Sequence, residues 1–342
     1  MSFKKYSSID NAYREKTVNY YIMQGHTQGI WRGREKIHGA NFQFAYNGGE
    51  VKIGKRSAYL KPIEHIGFFR SDVIYDRYIN SIHILAASLE MSVPDGTPLE
   101  FTIYGELYGG VYPHPDVEKD PEGKQVQKGI YYAPGNHFAA FDMKLNGEFV
   151  PDGSFEALMA LIGMPVAPIL VEGTFEEVMA YTNEGQSIVG VRLHGLPPIE
   201  NNVMEGLVIK PIIPQYLNDG SRVILKNKNE KWSEKSNKTR VPKAEIKMTS
   251  EQKDVYLLLS NRVTENRLRN VISHFGNVTN KDFGKLLALM TQDIITEHTK
   301  EDEVLLASME DKKERKLLTK MLNGDIATMV RKNFLNIIDG EF

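Results

Sequence analysis

The chain contains no cysteine among its 342 residues, which excludes disulfides, cysteine-bound zinc, iron–sulfur clusters and thiol nucleophiles. That absence fits a cytoplasmic protein. Nowhere do apolar residues run for the roughly 18 positions a membrane span needs, so no membrane partner is expected. The first ten residues, Met1 to Asp10, are polar and lack the apolar centre of a secretory signal. A large surplus of cations is also missing. The net charge is −2, too little to make the protein a bulk polycation that coats nucleic acid.

What is there is an ordinary globular balance, 41% apolar and 25% charged, with material for one large domain and a smaller one. The charge is uneven. From Arg222 to Lys247 nine Lys/Arg stand against three Glu, a local excess that a phosphate would feel whatever the global sum.

Residues 1–30 carry helical periodicity through Tyr13, Val18 and Ile22. From Trp31 to about Leu60 the pattern becomes extended. Phe42-Gln43-Phe44-Ala45-Tyr46 alternates, and Asn47-Gly48-Gly49 is a hairpin turn leading into Val51-Lys52-Ile53. Residues 70–90 read as a helix, and Phe101 to Glu106 as a strand ending in a carboxylate. Residues 112–129, rich in Pro, Gly and charge, read as an exposed loop in which His114 is a solvated residue. Phe138 to Asp142 is another short strand, and Phe155 to Ile162 a helix. Glu205 to Pro211 and Val223 to Lys228 read as buried strands tipped with charge. Beyond a basic linker only helices are expected, one from Thr249, whose Ser250-Glu251-Gln252 sequel has capping-box spacing, to Gly276, and others over about 280–298, 303–322 and 325–338. The reading is an α+β domain over residues 1–245 followed by a small all-α domain over residues 246–342.

The chemistry centres on Lys36-x-x-Gly39. Such a pair arises by chance about once or twice in a chain this long, so its weight comes from the charged residues downstream. These are Arg56, Glu106, Glu205 with Lys210, and Lys226 with Lys228, each at the end of a strand beside glycine or a turn. Lys226 and Lys228 are two apart and share a face. Glu205 and Lys210 are five apart, so both reach one site only if the chain bends at Gly206. A lysine amine with a pKa of about 10.4 is protonated at neutral pH, and neighbouring cations lower such a value while neutralising a triphosphate. A glycine three residues on admits a nucleotide close to the backbone. Rim glutamates suit hydrated Mg²⁺, Phe141 offers either a base-stacking ring or a core side chain, and Asn41 a bond to a phosphate or ribose oxygen.

In that order and spacing, Lys36-x-x-Gly39, Glu205-Gly206-x-x-x-Lys210 and Lys226-x-Lys228 resemble the motifs of covalent nucleotidyltransferases, the ATP-dependent ligases and mRNA capping enzymes. The wording Glu35-Lys36-Ile37-His38-Gly39-Ala40-Asn41-Phe42 resembles the phage RNA ligase 2 family, which includes the trypanosome RNA-editing ligases. Phe3 to Ser8, Lys228 to Lys235, Asn266 to Ser273, Lys281 to Gly284, and Gln292-Asp293 through Glu297 extend the similarity over nearly the whole chain, the 112–129 loop excepted.

The resemblance implies a nucleotidyltransferase domain of antiparallel sheets flanked by helices. It implies an ATP-dependent RNA ligase using Mg²⁺ or Mn²⁺ to join 3′-hydroxyl and 5′-phosphate ends of RNA, preferably at nicks in a duplex. Lys36 would carry AMP and His38 assist its attachment. Lys210, Lys226 and Lys228 would hold phosphates, and Glu205 would assist metal or ribose binding. Glu35, Ile37, Asn41, Arg56, Glu106 and Phe141 would line the nucleotide site, with Glu106 and Glu205 near the metal. Arg56, Arg267, Asp293 and Glu297 would meet RNA. The expected form is a monomer in the cytoplasm, that of the host if the chain is phage-encoded. A DNA ligase or capping enzyme usually adds an OB-fold after the last lysine motif, where this chain reads as helical. The alternative from another class is a catalytically silent nucleic-acid-binding relative.

Overall fold

The structure, a computed structural model, describes residues 1–92, 98–232, 249–279, 281–299 and 311–342. The chain falls into two compact units, Met1–Lys231 and Trp232–Phe342. The 245/246 boundary expected from composition lies outside the described residues.

The first unit is built on two sheets. One is ordered β1-β11-β10-β2-β9, from Asp10–Asn11, Leu225–Lys228, Gly206–Pro211, Trp31–Glu35 and Ile169–Gly173, and is antiparallel apart from the β1–β11 pair. The other is antiparallel throughout, in the order β5-β4-β3-β6-β7-β8. Its strands are Ala58–Tyr59, Glu50–Lys55, Ala40–Asn47, Glu100–Val111, Ala133–Leu145 and Glu148–Phe149.

Period-two alternation assigns the faces. In β3, Phe42, Phe44 and Tyr46 enter a core with Ile103 and Phe138, against helix α2 (Ser71–Glu90) and α3 (Asp152–Leu161). Helix α2 supplies Ile74, Tyr78, Ile82, Leu85 and Leu89, spaced three and four apart, to that core. In the first sheet Trp31, Leu207, Ile209 and Leu225 pack outward on Tyr21 of α1 (Glu15–Met23) and on Phe175 and Val178 of α4 (Phe175–Ala180). The face of α1 toward this core carries Tyr21 and, partly buried, Val18. Tyr13 and Ile22, expected on the apolar stripe, are 54% and 51% exposed. Between the two sheets a smaller apolar cluster joins Tyr6, Tyr104, Phe149 and Ile224 to Phe141 and Val208.

A short helix, α5 (Val189–His194), completes the first unit. The second is helical among its described residues, as expected, but the helices are cut differently. Thr249 and Gln252 form the capping box, yet the first helix stops at Ser260 (α6, Ser250–Ser260). Thr264 caps a second, α7 (Glu265–Phe275), ending at Gly276. Helix α8 is Phe283–Thr299, and α9 runs unbroken over Lys312–Ile338, through the expected break near Gly324. A core of Leu259, Leu268, Met290, Ile294, Leu318 and Ile326 holds the four together.

Candidate active site

Lys36 follows the last residue of β2, and its amide donates to the Gly206 carbonyl at the start of β10. Gly206 has φ +140°, and a Cβ there would meet the Asn227 carbonyl oxygen at 2.0 Å. The bend expected there exists, and only glycine can make it. It turns Glu205 back toward Lys36. The Lys36 ammonium lies 2.7 Å from Glu205 Oε2, His38 Nδ1 lies 3.2 Å from the same oxygen, and Lys228 Nζ lies 3.1 Å from Oε1. Glu205 is 1% exposed, whereas the Lys36 side chain keeps 21% of its surface.

Gly39 lies tight against the β6 backbone. A Cβ on it would sit 2.2 Å from the Leu107 carbonyl oxygen and 2.8 Å from Glu106 Cγ. The glycine lets β6 close against the turn. That closure brings Glu106 beside Asn41, its register partner, and within the field of Lys36, Glu205 and Arg56. Arg56 follows the Phe42–Lys55 pair that ends the β3–β4 hairpin.

The two glutamates titrate in opposite directions. Burial alone would raise Glu205, but Lys36, Lys228 and His38 outweigh it and hold the carboxyl well below its ordinary range. Glu106 is pushed up to about 8, first by burial, with Lys36 opposing and Glu205 adding to the rise. Glu35 is pushed up to about 7 by burial, against bonds from Ser187 and from the Ile188 amide at 2.9 Å. Its Oε1 and Asn41 Oδ1 are buried without hydrogen-bond partners among the described residues.

Lys210 shares the inner sheet face with Val208, but its ammonium is committed elsewhere. It bonds the Phe141 carbonyl at 2.9 Å, Asp152 Oδ1 at 3.0 Å and Asp142 Oδ1 at 3.3 Å. Asp142 also receives Tyr6 OH at 2.8 Å and the Arg222 guanidinium, while Asp152 receives Arg34 at 2.7 Å and Arg32 at 2.8 Å. With Lys210 3% exposed, the expected phosphate contact of this lysine gives way to a sealed ion cluster.

A bulge in β7 builds part of this cluster. Tyr104 lies opposite Asp142 and Gly105 opposite Ala140, so Phe141 is the extra residue of a β-bulge. The bulge sends Phe141 and Asp142 to the same side. Phe141 is half-buried, edge-on to Tyr6 at 4.9 Å, and belongs to the apolar cluster between the sheets. Lys226 pairs in register with Val208 and Asn11, and Ile37 is buried beside the Lys36 turn. No group of three His, Asp or Glu at metal-ligating distance occurs among the described residues.

With that geometry in view, the comparisons are specific. A model described as RNA ligase matches residues 29–228, more than half of the chain. The chain belongs to the RNA ligase family. A second model, described as T4 RNA ligase 2 C-terminal, matches residues 246–328 and assigns the RNA ligase 2 branch. This is an ATP-dependent RNA ligase. Mitochondrial RNA-editing ligase 2 of Trypanosoma brucei brucei is 28% identical, over 88% of this chain and 84% of that protein. Mitochondrial RNA-editing ligase 1 of the same organism is 30% identical over 61% of this chain but only 50% of its own length. A solved Naegleria gruberi RNA ligase variant, with AMP and Mn, aligns at a TM-score of 0.46 and 14% identity, covering 67% of this chain and 57% of that one.

In the ligase's helical unit, Arg267 is 1% exposed and its guanidinium bonds Asp293 of α8. Arg267, expected to meet RNA, is thus turned inward in the structure. It is an internal strut between α7 and α8, and its partner Asp293 keeps 40% side-chain exposure. No helix of the described residues is long and apolar enough to cross a membrane.

Proposed function

We propose that Lys36 is the residue the ligase charges with AMP. The unprotonated amine attacks the α-phosphorus of ATP. A P–N bond forms, the bond to the pyrophosphate oxygen breaks, and the amine's proton passes to solvent. A 5′-phosphate oxygen of RNA then displaces Lys36 from phosphorus, giving an adenylylated 5′ end. The 3′-hydroxyl attacks that 5′-phosphate, and AMP leaves as the phosphodiester forms. The observation carrying this reading is the convergence of Lys36, His38 and Lys228 on the buried Glu205 carboxylate within 2.7–3.2 Å. That ion group orients the nucleophile from one side and leaves its other side open.

Glu35, Ile37, Asn41, Arg56, Glu106 and Phe141 are proposed to line the nucleotide site, with Lys226 and Lys228 on the phosphates. The partnerless oxygens of Glu35 and Asn41 support this, since a buried acceptor with no donor is costly unless a ligand supplies one. Mg²⁺ or Mn²⁺ would neutralise phosphate charge near Glu106 and Glu205. An all-oxygen pair without a third protein ligand suits a hydrated cation that shares its shell with phosphates and water. Lys210 is assigned to scaffolding. The preferred substrate is a nicked RNA duplex, with Asp293 and Glu297 gripping the duplex through metal, ribose hydroxyls or basic partners. A monomer in the cytoplasm is the working assignment.

Incubation with ATP and Mg²⁺ followed by intact-mass measurement tests the core of this. The wild type should gain one AMP. Lys36→Ala should fold and gain none. A Lys36→Ala protein that still takes up AMP ends the assignment, and a wild type that takes up none leaves the catalytically silent relative standing.

A further inference from the structure

The four residues between β2 and β3 include the proposed nucleophile and the histidine beside it, yet side chains from a distant segment satisfy part of their backbone. The His38 amide donates to Tyr132 Oη at 2.8 Å, and the Gly39 carbonyl accepts from Gln127 Nε2 at 3.2 Å. Both belong to the stretch between β6 and β7, in which the composition marks residues 112–129, Gln127 among them, as an exposed loop. Its end is not exposed: Tyr132 is 2% and Gln127 8% accessible. Asn202 fixes the neighbouring backbone, receiving the Tyr131 amide at 2.9 Å and donating to its carbonyl at 2.7 Å. The Tyr132 ring meets Tyr108 edge-on, 5.4 Å between centroids. The phenol therefore has one place to be.

We infer that Tyr132 is a positioning residue for AMP attachment, acting through the His38 peptide; the inference rests on the assignment of Lys36 above. The His38 ring and the Lys36 ammonium share Glu205 Oε2, so a shift of the His38 peptide moves one of the two donors on that oxygen. Without the phenol oxygen, a buried N–H loses its acceptor and the turn relaxes toward another partner. The ring itself contributes packing that Phe would retain.

The test is the single-turnover rate of AMP attachment to the full chain. Tyr132→Phe should lower the rate at saturating ATP about tenfold, the effect of losing one buried hydrogen bond in the reacting geometry, with ATP half-saturation and Tm little changed. Tyr108→Phe removes an equally buried hydroxyl, one that pairs with His194 Nε2 at 3.0 Å, and should leave the rate alone. Because Tyr132 acts through His38, adding Tyr132→Phe to His38→Ala should cost little more than His38→Ala alone. A wild-type rate in Tyr132→Phe, an equal loss in Tyr108→Phe, or multiplying losses in the double variant each overturn the inference. Should Tyr132→Phe not fold, Gln127→Met is judged by the same rate, half-saturation and His38→Ala combination. A wild type that takes up no AMP would instead defeat the Lys36 assignment, which keeps the two failures distinct.

Discussion

Two groups of charge lie at the two ends of β10, around Glu205 and around Lys210, and they use the same residue types to opposite ends. Around Glu205, three cationic or ionisable partners meet one carboxylate, and the Lys36 side chain stays 21% exposed. Around Lys210, two aspartates, three arginines and a tyrosine close on one another, and the lysine is 3% exposed. A lysine beside a carboxylate is therefore not by itself a sign of reactivity. Access and the number of partners separate an amine that can meet substrate from one that ties β10 to β7 and α3.

The strongest way to break this comparison is Lys210→Ala. It leaves Asp142 and Asp152 short of a cation in a buried setting, so unfolding stability should fall by roughly 3–5 kcal/mol. Both carboxyls are held below their ordinary range by Lys210 and the arginines, against burial. Chemical denaturation measures the loss. Lys36→Ala should cost far less stability. If Lys210→Ala instead keeps full stability and loses only AMP attachment, Lys210 belongs with the reactive group.

A smaller effect should appear on shortening the chain. Both charge groups lie before residue 230, within the first compact unit. A fragment ending near Lys247 should still attach AMP yet pass it poorly to a nicked RNA duplex, as read by gel analysis of sealing. Sealing at the full-length rate would show the helical unit to be dispensable.

The mildest test sharpens the contrast through pH. Glu205, Asp142 and Asp152 have depressed values, so the stability they contribute is present above the ordinary carboxyl range and is lost on acidification. Glu106 runs the other way. Its carboxyl is raised from 4.5 to about 8, so its neutral form is favoured by folding, and that contribution fades as pH rises from about 4.5 through 8. Glu106→Gln should flatten the fall in Tm across that window, leaving the residual slope of Glu35, raised to about 7. An unchanged slope would mean that Glu106 is ionised in the folded ligase at neutral pH.

Much of this was legible in the order of residues. Lys36, Glu205 and Lys228 could be grouped because short strands tipped with charge, separated by glycine and turns, leave few ways to pack. The α2 stripe and the Thr249 capping box follow from local spacing alone. The Gly206 bend was inferable too, since parity forbids Glu205 and Lys210 from sharing a face on a regular strand. Three features lay beyond local pattern for the same reason. The Phe141 bulge depends on the pairing of β7 with β6, Gly39 lies against the β6 backbone, and Arg267 meets Asp293 of another helix.

Local pattern, then, determined which segments become strands and helices and which residue types stand at their ends, because periodicity and turn chemistry act over a few residues. Only the tertiary structure decided which charges find each other. Asp142 and Lys210 are 68 positions apart in the chain, and His38 and Tyr132 are 94 apart. No spacing rule reaches that far, since burial and partner count are set by the packing of the whole unit.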